Sequence, residues 1–276
     1  MQRRTGDDAE RGLTPEERRE ASAHQEIRAP VIYETIRLRG VEEIARPASS
    51  LWWSGVAAGL AISLSVFCEG FLHALLPDAP WRPAVSSFGY CIGFLIVILG
   101  RLQLFTENTL TAVLPLLATP PRANAVGVAR LTAVVFAANM VGSLASAAMA
   151  VFVGLAPEAQ LEAALAISRH FAEKSAIEMA LHAVPAGFLV AAIVWSMPIA
   201  GGAGFWVIVA FTYMIALGDT AHVVAGSTEL FLLTLSGEHG WYDTVVRGIV
   251  PAFVGNVVGG TGFFALIAYA QVREEL

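Results

Sequence analysis

The chain has 276 residues, 56% of them apolar and 14% charged, well below the roughly one quarter charged of an ordinary soluble domain, which argues against a soluble single-domain enzyme. The formal net charge of −6 excludes a basic nucleic-acid footprint. Of the 40 Asp, Glu, Lys and Arg residues, 19 fall in residues 1–50, so the composition divides near Leu51 into a charged head and an apolar remainder. That remainder holds several stretches of about 20 residues or more, long enough to cross roughly 30 Å of hydrocarbon as helices.

Residues 1–29 carry charged runs such as Glu16-Glu17-Arg18-Arg19-Glu20 and almost no large apolar side chains. Such a segment buries too little to repay ordering entropy and is expected to be a disordered cytoplasmic tail, with no apolar core of a cleavable signal. Over residues 30–50 the pattern changes: Ile32, Ile36 and Ile44 share a helical stripe among charged neighbours, which predicts an amphipathic interfacial helix. The transport domain is expected over residues 51–272 as six spans. The first runs from about Ser54 to Leu76, with Trp52 and Trp53 as its interface belt. The second begins near Val85 and meets Arg101, Thr106, Glu107 and Asn108 before apolar residues resume through Leu117. The third runs from about Ala125 to Leu155, and a short surface helix is expected between Glu158 and Glu173. The fourth covers about Ser175 to Met197. The fifth starts near Phe205, is interrupted at Gly218-Asp219-Thr220-Ala221-His222 and resumes through Leu235, and the sixth runs from about Thr244 to Ala270.

Six crossings return both termini to one side. Basic residues in short flanks favour that side as cytoplasmic, with Arg37, Arg39, Arg46, Arg122, Arg130 and Arg273 against Arg82, Arg169, Lys174 and Arg247. Cys68 and Cys91 lie in apolar stretches and read as buried small side chains.

An internal repeat carries the architecture. Ala138-Asn139-Met140-Val141-Gly142 matches Gly255-Asn256-Val257-Val258-Gly259 at an offset of 117. The same offset carries a second-span break around Leu104–Asn108 onto Ala221–Ala225. Each half has three spans, so the copies are inverted. Broken helices at matching positions point to a transport site near the midplane, where freed backbone groups line a cavity. Asn139 and Asn256 are expected to bond the exposed backbone of the breaks, with Gly218 and Gly259 among the glycines that permit sharp breaks and close helix approach.

The segment Gly100-Arg101-Leu102-Gln103-Leu104-Phe105-Thr106-Glu107-Asn108, the fifth-span break with His222, and Gly255-Asn256-Val257-Val258-Gly259-Gly260-Thr261 together resemble the formate/nitrite transporter family. The resemblance covers about residues 50–272. It implies an aquaporin-like all-α bundle, a homopentamer in the lipid bilayer of the inner membrane, with a pore in each protomer for a small anion accompanied by a proton. It also implies no cofactor and no enzymatic activity. A Leu-Phe-Thr break forms one constriction in that family and a single histidine serves the pore centre. Leu104, Phe105, Thr106 and His222 match those positions, and Asn108 lies beside them. A vestibule lysine draws in the anion in that family, and Lys174, the only lysine here, stands near its place. Family members often have Glu immediately before the histidine, whereas this chain has Ala221 there and Asp219 three residues before.

Elementary chemistry supports the same residues. A bare anion loses several kcal/mol of hydration in an apolar pore, and a weak acid avoids much of that by taking a proton. His222, with an unperturbed pKa of about 6.5, is the expected group for proton exchange or electrostatic assistance. Thr106 offers a hydroxyl that both donates and accepts. Arg101, Glu107, Glu69 and Glu229 are a possible charge network, with Arg101–Glu107, Arg101–Glu69 and Arg101–Asp219 as the pairs to look for. Glu178 and His182, four apart, are two ligands at most, and mutual hydrogen bonding is preferred to a metal site. A neutral-solute channel and a non-conducting regulator with a charged tail are the competing readings; the first would ordinarily carry Asn-Pro-Ala at its breaks, a tripeptide this chain lacks.

Overall fold

The computed structural model describes Thr14, Glu16, residues 27–118 and residues 122–276. The expected tail over residues 1–29 lies almost wholly outside the described residues. Helix α1 spans Ala29–Ala45 with Pro30 in its first turn, where a missing N–H costs nothing. It stops because Arg46 precedes Pro47 and is held extended. One stripe of α1, made of Ile32, Tyr33, Ile36 and Gly40, is buried against the bundle. Tyr33 Oη donates to the Leu114 carbonyl at 3.3 Å. A side chain at Gly40 would collide with the Thr111 carbonyl and the Pro115 ring, so α1 lies in close contact with the end of the second crossing.

The first crossing is α2, Ala48–Leu75, which begins six residues before the expected Ser54 and takes Trp52 and Trp53 into the helix. The second crossing is broken into α3 (Arg82–Ser86), α4 (Cys91–Leu99), α5 (Phe105–Thr111) and α6 (Val113–Ala118). Its break occupies residues 100–104, earlier than the expected Leu104–Asn108, and Thr106, Glu107 and Asn108 are helical. The third crossing, α7 (Arg122–Ala148), continues as a π turn over Met149–Val153 and ends at Gly154 with φ of 72°. Helix α8 (Glu158–Ala172) is the expected short helix.

The next apolar run, Ala176–Leu217, is 42 residues long. It contains α9 (Ala176–Ala200) and α10 (Gly204–Leu217), which pack side by side because the chain doubles back at Gly201, φ 49°. Ser175 and Glu178 start α9 with a reciprocal capping box. Helix α11 (Val223–Leu235) follows the break at residues 218–222 and completes the fifth crossing. The sixth crossing, Asp243–Val272, alternates π and α turns.

The two halves repeat each other in packing. In one half α2 lies against α7, and Gly59 and Gly142 let their backbones touch; a Cβ on Gly59 would lie 2.9 Å from the Gly142 Cα. In the other half α9 lies against the sixth crossing, where a Cβ on Gly187 would lie 2.7 Å from the Asn256 Cα and one on Gly259 would lie 2.9 Å from the Phe188 nitrogen. Among lipid-facing helices, where apolar burial drives little, such small-residue contacts supply the attraction. Among the described residues the fold is all-α, a polytopic membrane protein of six crossings with the second and fifth broken.

Candidate functional site: two helix breaks held by paired asparagines

The breaks are fixed by two equivalent clamps. Asn139 on α7 accepts from the Phe105 backbone N–H at 2.9 Å and donates to the carbonyls of Gly55 (2.8 Å) and Gln103 (2.9 Å). Asn256 accepts from the Val223 N–H at 2.8 Å and donates to Ala183 (2.8 Å) and Ala221 (2.9 Å). Each amide therefore satisfies the first N–H of a restarting helix and a carbonyl of the broken strand of backbone, groups that lipid would leave unpaired. Both asparagines are fully buried. Among the described residues two that are not glycine adopt the left-handed region, Arg101 at φ 52° and Asp219 at φ 49°, and they stand at corresponding positions of the two breaks.

Between the clamps lie His222 and Thr106. His222 is the N-cap of α11, its Nδ1 accepting from the Ala225 N–H at 3.3 Å. The ring proton is then on Nε2, which donates to Thr106 Oγ1 at 2.7 Å. Phe94 meets the imidazole edge-on at 4.9 Å. On the other side Phe105 stacks on Phe253 at 4.7 Å and meets Phe136 edge-on at 5.1 Å. Phe136 and Phe253 each stand three residues before a clamp asparagine, so this aromatic cluster also follows the repeat. Leu104, Phe105, Thr106 and His222 are each 0–1% exposed and form a continuous dense layer.

Space opens on both sides of this layer. On the face away from α1, a cavity of about 400 Å³ is lined by Glu69, His73, Tyr90, Asp219 and Glu229 among others. Ser87 Oγ donates to Glu69 at 3.3 Å. Asp219 is paired: Lys174 Nζ donates to its Oδ1 at 2.7 Å, and Lys174 also lies 5.2 Å above the Phe171 ring. On the α1 face the mouth beside Leu104 retains only about 10 Å³. It is closed by residues of α1: Gln103 Nε2 donates to Glu43 at 2.7 Å, Asn108 Nδ2 donates to Gln103 at 3.3 Å, and Arg39 stands 3.7 Å from the buried Glu107. Beside it a cavity of about 270 Å³ is lined by Thr35, Arg39, Arg101 and Glu107.

The structure thus brings together His222, Thr106, Phe105 and Leu104, and it joins Lys174 to Asp219. It does not join Arg101 to Glu107, Glu69 or Asp219: Arg101 is exposed and has no ion pair among the described residues, while Glu107 faces Arg39 and Glu69 accepts from Ser87. Gly218 ends α10 at the break and Gly259 makes the close contact described above. Glu178 and His182 do not bond each other either, since Glu178 caps α9 and His182 Nδ1 is 2.9 Å from the Asp219 carbonyl oxygen. Arg39 and Glu43 were not legible as site residues. They lie more than 55 residues before the break they reach, and no spacing pattern links them. The equal offset of Phe136 and Phe253 was a usable signal for the aromatic cluster.

A helical bundle whose two interrupted helices meet at a polar centre, with a cavity on each side, is a membrane channel or transporter by construction. The chain matches the model of the Formate/nitrite transporter family over residues 30–270, and it belongs to that family. It is 38% identical over 249 residues to Inner membrane protein YfdC of Escherichia coli strain K12, covering 90% of this chain and 80% of the relative. It is 25% identical over 254 residues to Formate channel BtFdhC of Bacillus thuringiensis, covering 88% of this chain and 95% of that one. Two solved structures share the fold: an FNT family ion channel (TM-score 0.77, 18% identity, 87% of this chain and 98% of that one) and a pentameric formate channel with formate bound (TM-score 0.69, 18% identity, 82% and 98%).

Proposed function

We propose that the protein is an inner-membrane channel for formate, nitrite or a similar small weak-acid anion, assembled as a homopentamer with a pore in each protomer. The observation that carries this reading is the His222–Thr106 hydrogen bond at the meeting of the two breaks, in a chain of this family. Two relatives are formate channels by name, and one solved neighbour is a pentamer. In this reading a substrate oxygen reaching the centre takes the Nε2–H and the Thr106 hydroxyl as hydrogen-bond donors, which replace part of its lost hydration. Phe94 on one side and Leu104 with Phe105 on the other strip the remaining water. Passage is proton-assisted, because the neutral acid crosses these apolar layers at far lower cost than the anion. Both termini face the cytoplasm in this reading.

Flux into liposomes holding the purified protein tests it, with formate, nitrite, acetate, lactate, hydrosulfide and glycerol compared at several pH values. Saturable anion flux that rises toward acid and changes in His222→Ala is the expected result. Flux of glycerol alone would refute the reading.

A further inference from the structure

The 400 Å³ cavity opposite α1 carries a group that the centre of the protein leaves unused. Glu229 is 6% exposed, lines this cavity, and makes no hydrogen bond or ion pair among the described residues. It stands seven residues beyond His222 on α11, about 10 Å along the helix and on the same face. The column from the cavity inward is Tyr90, then Phe94 at 5.4 Å from it, then His222 at 4.9 Å from Phe94. Glu229 therefore sits on the cavity floor just outside the first apolar layer.

His222 is poorly placed to accept a proton. Its Nδ1 lone pair holds the Ala225 N–H and its Nε2–H is directed at Thr106. Protonation at Nδ1 would remove the cap of α11 and set a positive charge against the positive end of that helix.

On the reading of the protein as a weak-acid anion channel, we infer that Glu229 is the residue that passes a proton to the incoming anion, at the floor of this cavity. The carboxyl O–H of Glu229 breaks, its bonding pair stays on the carboxylate, and the proton bonds to an oxygen of the anion. The neutral acid moves past Phe94 and His222, and Glu229 regains a proton from cavity water. At the α1 face the acid releases its proton to water, and Arg39 and Arg101 face the anion that forms. One anion and one proton cross together.

The charged and titratable groups facing Glu229 are Glu69 and His73 from α2, Tyr90 from the start of the second crossing, His170 from α8, Lys174 after it, and Asp219 from the break. Lys174 is bonded to Asp219, and among the described residues no cation is bonded to Glu229. With Glu69 and Glu229 both ionised the cavity repels anions; with Glu229 protonated it admits them and supplies the proton.

The test is formate flux into liposomes holding the full-length protein, from pH 5 to pH 8. Glu229→Gln keeps size and hydrogen-bonding capacity but holds no transferable proton. It is expected to lose roughly a hundredfold of the flux at the acid end, the low end of the range for a positioned proton donor, and to show a flat pH profile. A merely structural role would scale flux equally at every pH, so a Glu229→Gln protein with the parental slope overturns the inference. A parent that moves neither formate nor nitrite overturns the channel reading itself, and this inference with it. A second measurement needs no variant: a hydrophobic carbodiimide, which adds to protonated carboxyls, is expected to modify Glu229 of the parent at acid pH and to block flux. Mass-spectrometric mapping that finds Glu229 unmodified while flux persists overturns the inference as well.

Discussion

Replacing Asn256 by alanine removes three hydrogen bonds at once from a residue with no exposure. The Val223 N–H is then a buried donor without a partner, which costs about 1–3 kcal/mol. The Ala221 carbonyl in the broken backbone loses its donor too, and a cavity of amide size remains, adding about 1–2 kcal/mol. The expected loss is therefore about 2–5 kcal/mol, measured as the shift in an unfolding titration from dodecylmaltoside into dodecyl sulfate micelles. Asn139→Ala is expected to cost a similar amount, because its three bonds have the same partners in the other repeat. Asn256→Asp sharpens the test. It retains the acceptor for Val223 but points an oxygen at two carbonyl oxygens, or must bind a proton and still forgo one donor. A loss under about 0.5 kcal/mol for Asn256→Ala, or an Asn256→Asp protein as stable as the parent, would refute the clamp as the element that fixes the fifth-span break.

Thr106→Val keeps the shape and removes the acceptor of the His222 Nε2–H, so a stability loss of about 1–3 kcal/mol is expected, with Thr106→Ser close to the parent; the same micelle titration reads both. Gly259→Ala places a methyl against the Val184 carbonyl and the Phe188 nitrogen and is expected to cost about 1–3 kcal/mol, whereas Gly262→Ala, whose new Cβ would have only Val258 Cγ1 at 3.9 Å, is expected to be near neutral. Outside the membrane, Arg169 donates to both oxygens of Glu238 at 2.7 and 2.8 Å and holds that carboxyl below its ordinary value. Because the folded value is depressed, the stabilisation is present above the unfolded carboxylate value near pH 4 and disappears as pH falls through the folded value. Glu238→Gln is thus expected to cost at most about 1 kcal/mol at pH 7.5, given that both side chains are a third or more exposed, and progressively less as pH falls; a difference that does not shrink in acid would refute the ion pair as its source.

The crossings and both breaks were legible because their signals are local: runs of apolar residues, polar residues in their midst, and the Asn-x-x-Gly repeat. The second break still lay four residues earlier than expected. Polarity marked Thr106, Glu107 and Asn108, but the backbone turns at Arg101, and Asn139 allows the helix to restart at Phe105. Glycine would have advertised a left-handed position, whereas arginine and aspartate did not. Ion pairing was the least legible feature. Arg101 and Glu107 are near in sequence, yet Glu107 faces Arg39 from α1, and the apolar stripe of α1 does not name the crossing on which Tyr33 and Gly40 dock it. The stripe expected from Ile32, Ile36 and Ile44 passed through Gly40, where absence of a side chain allows contact with Thr111 and Pro115.

The doubling back at Gly201 also governs biogenesis. Drawn straight, the run from Ala176 to Leu217 would reach roughly 60 Å, about twice the hydrocarbon thickness. Hydropathy alone offers no stopping point within it. A single peptide with positive φ, in a stretch reading Ala200-Gly201-Gly202-Ala203-Gly204, folds the run into a helical hairpin that can be inserted as one unit. The hairpin makes the number of crossings even and turns the following segment toward the opposite leaflet. Parity of the whole chain, and with it the delivery of His222 to Thr106 from the opposite side of the bilayer, is thereby decided at the surface, some twenty residues from the histidine.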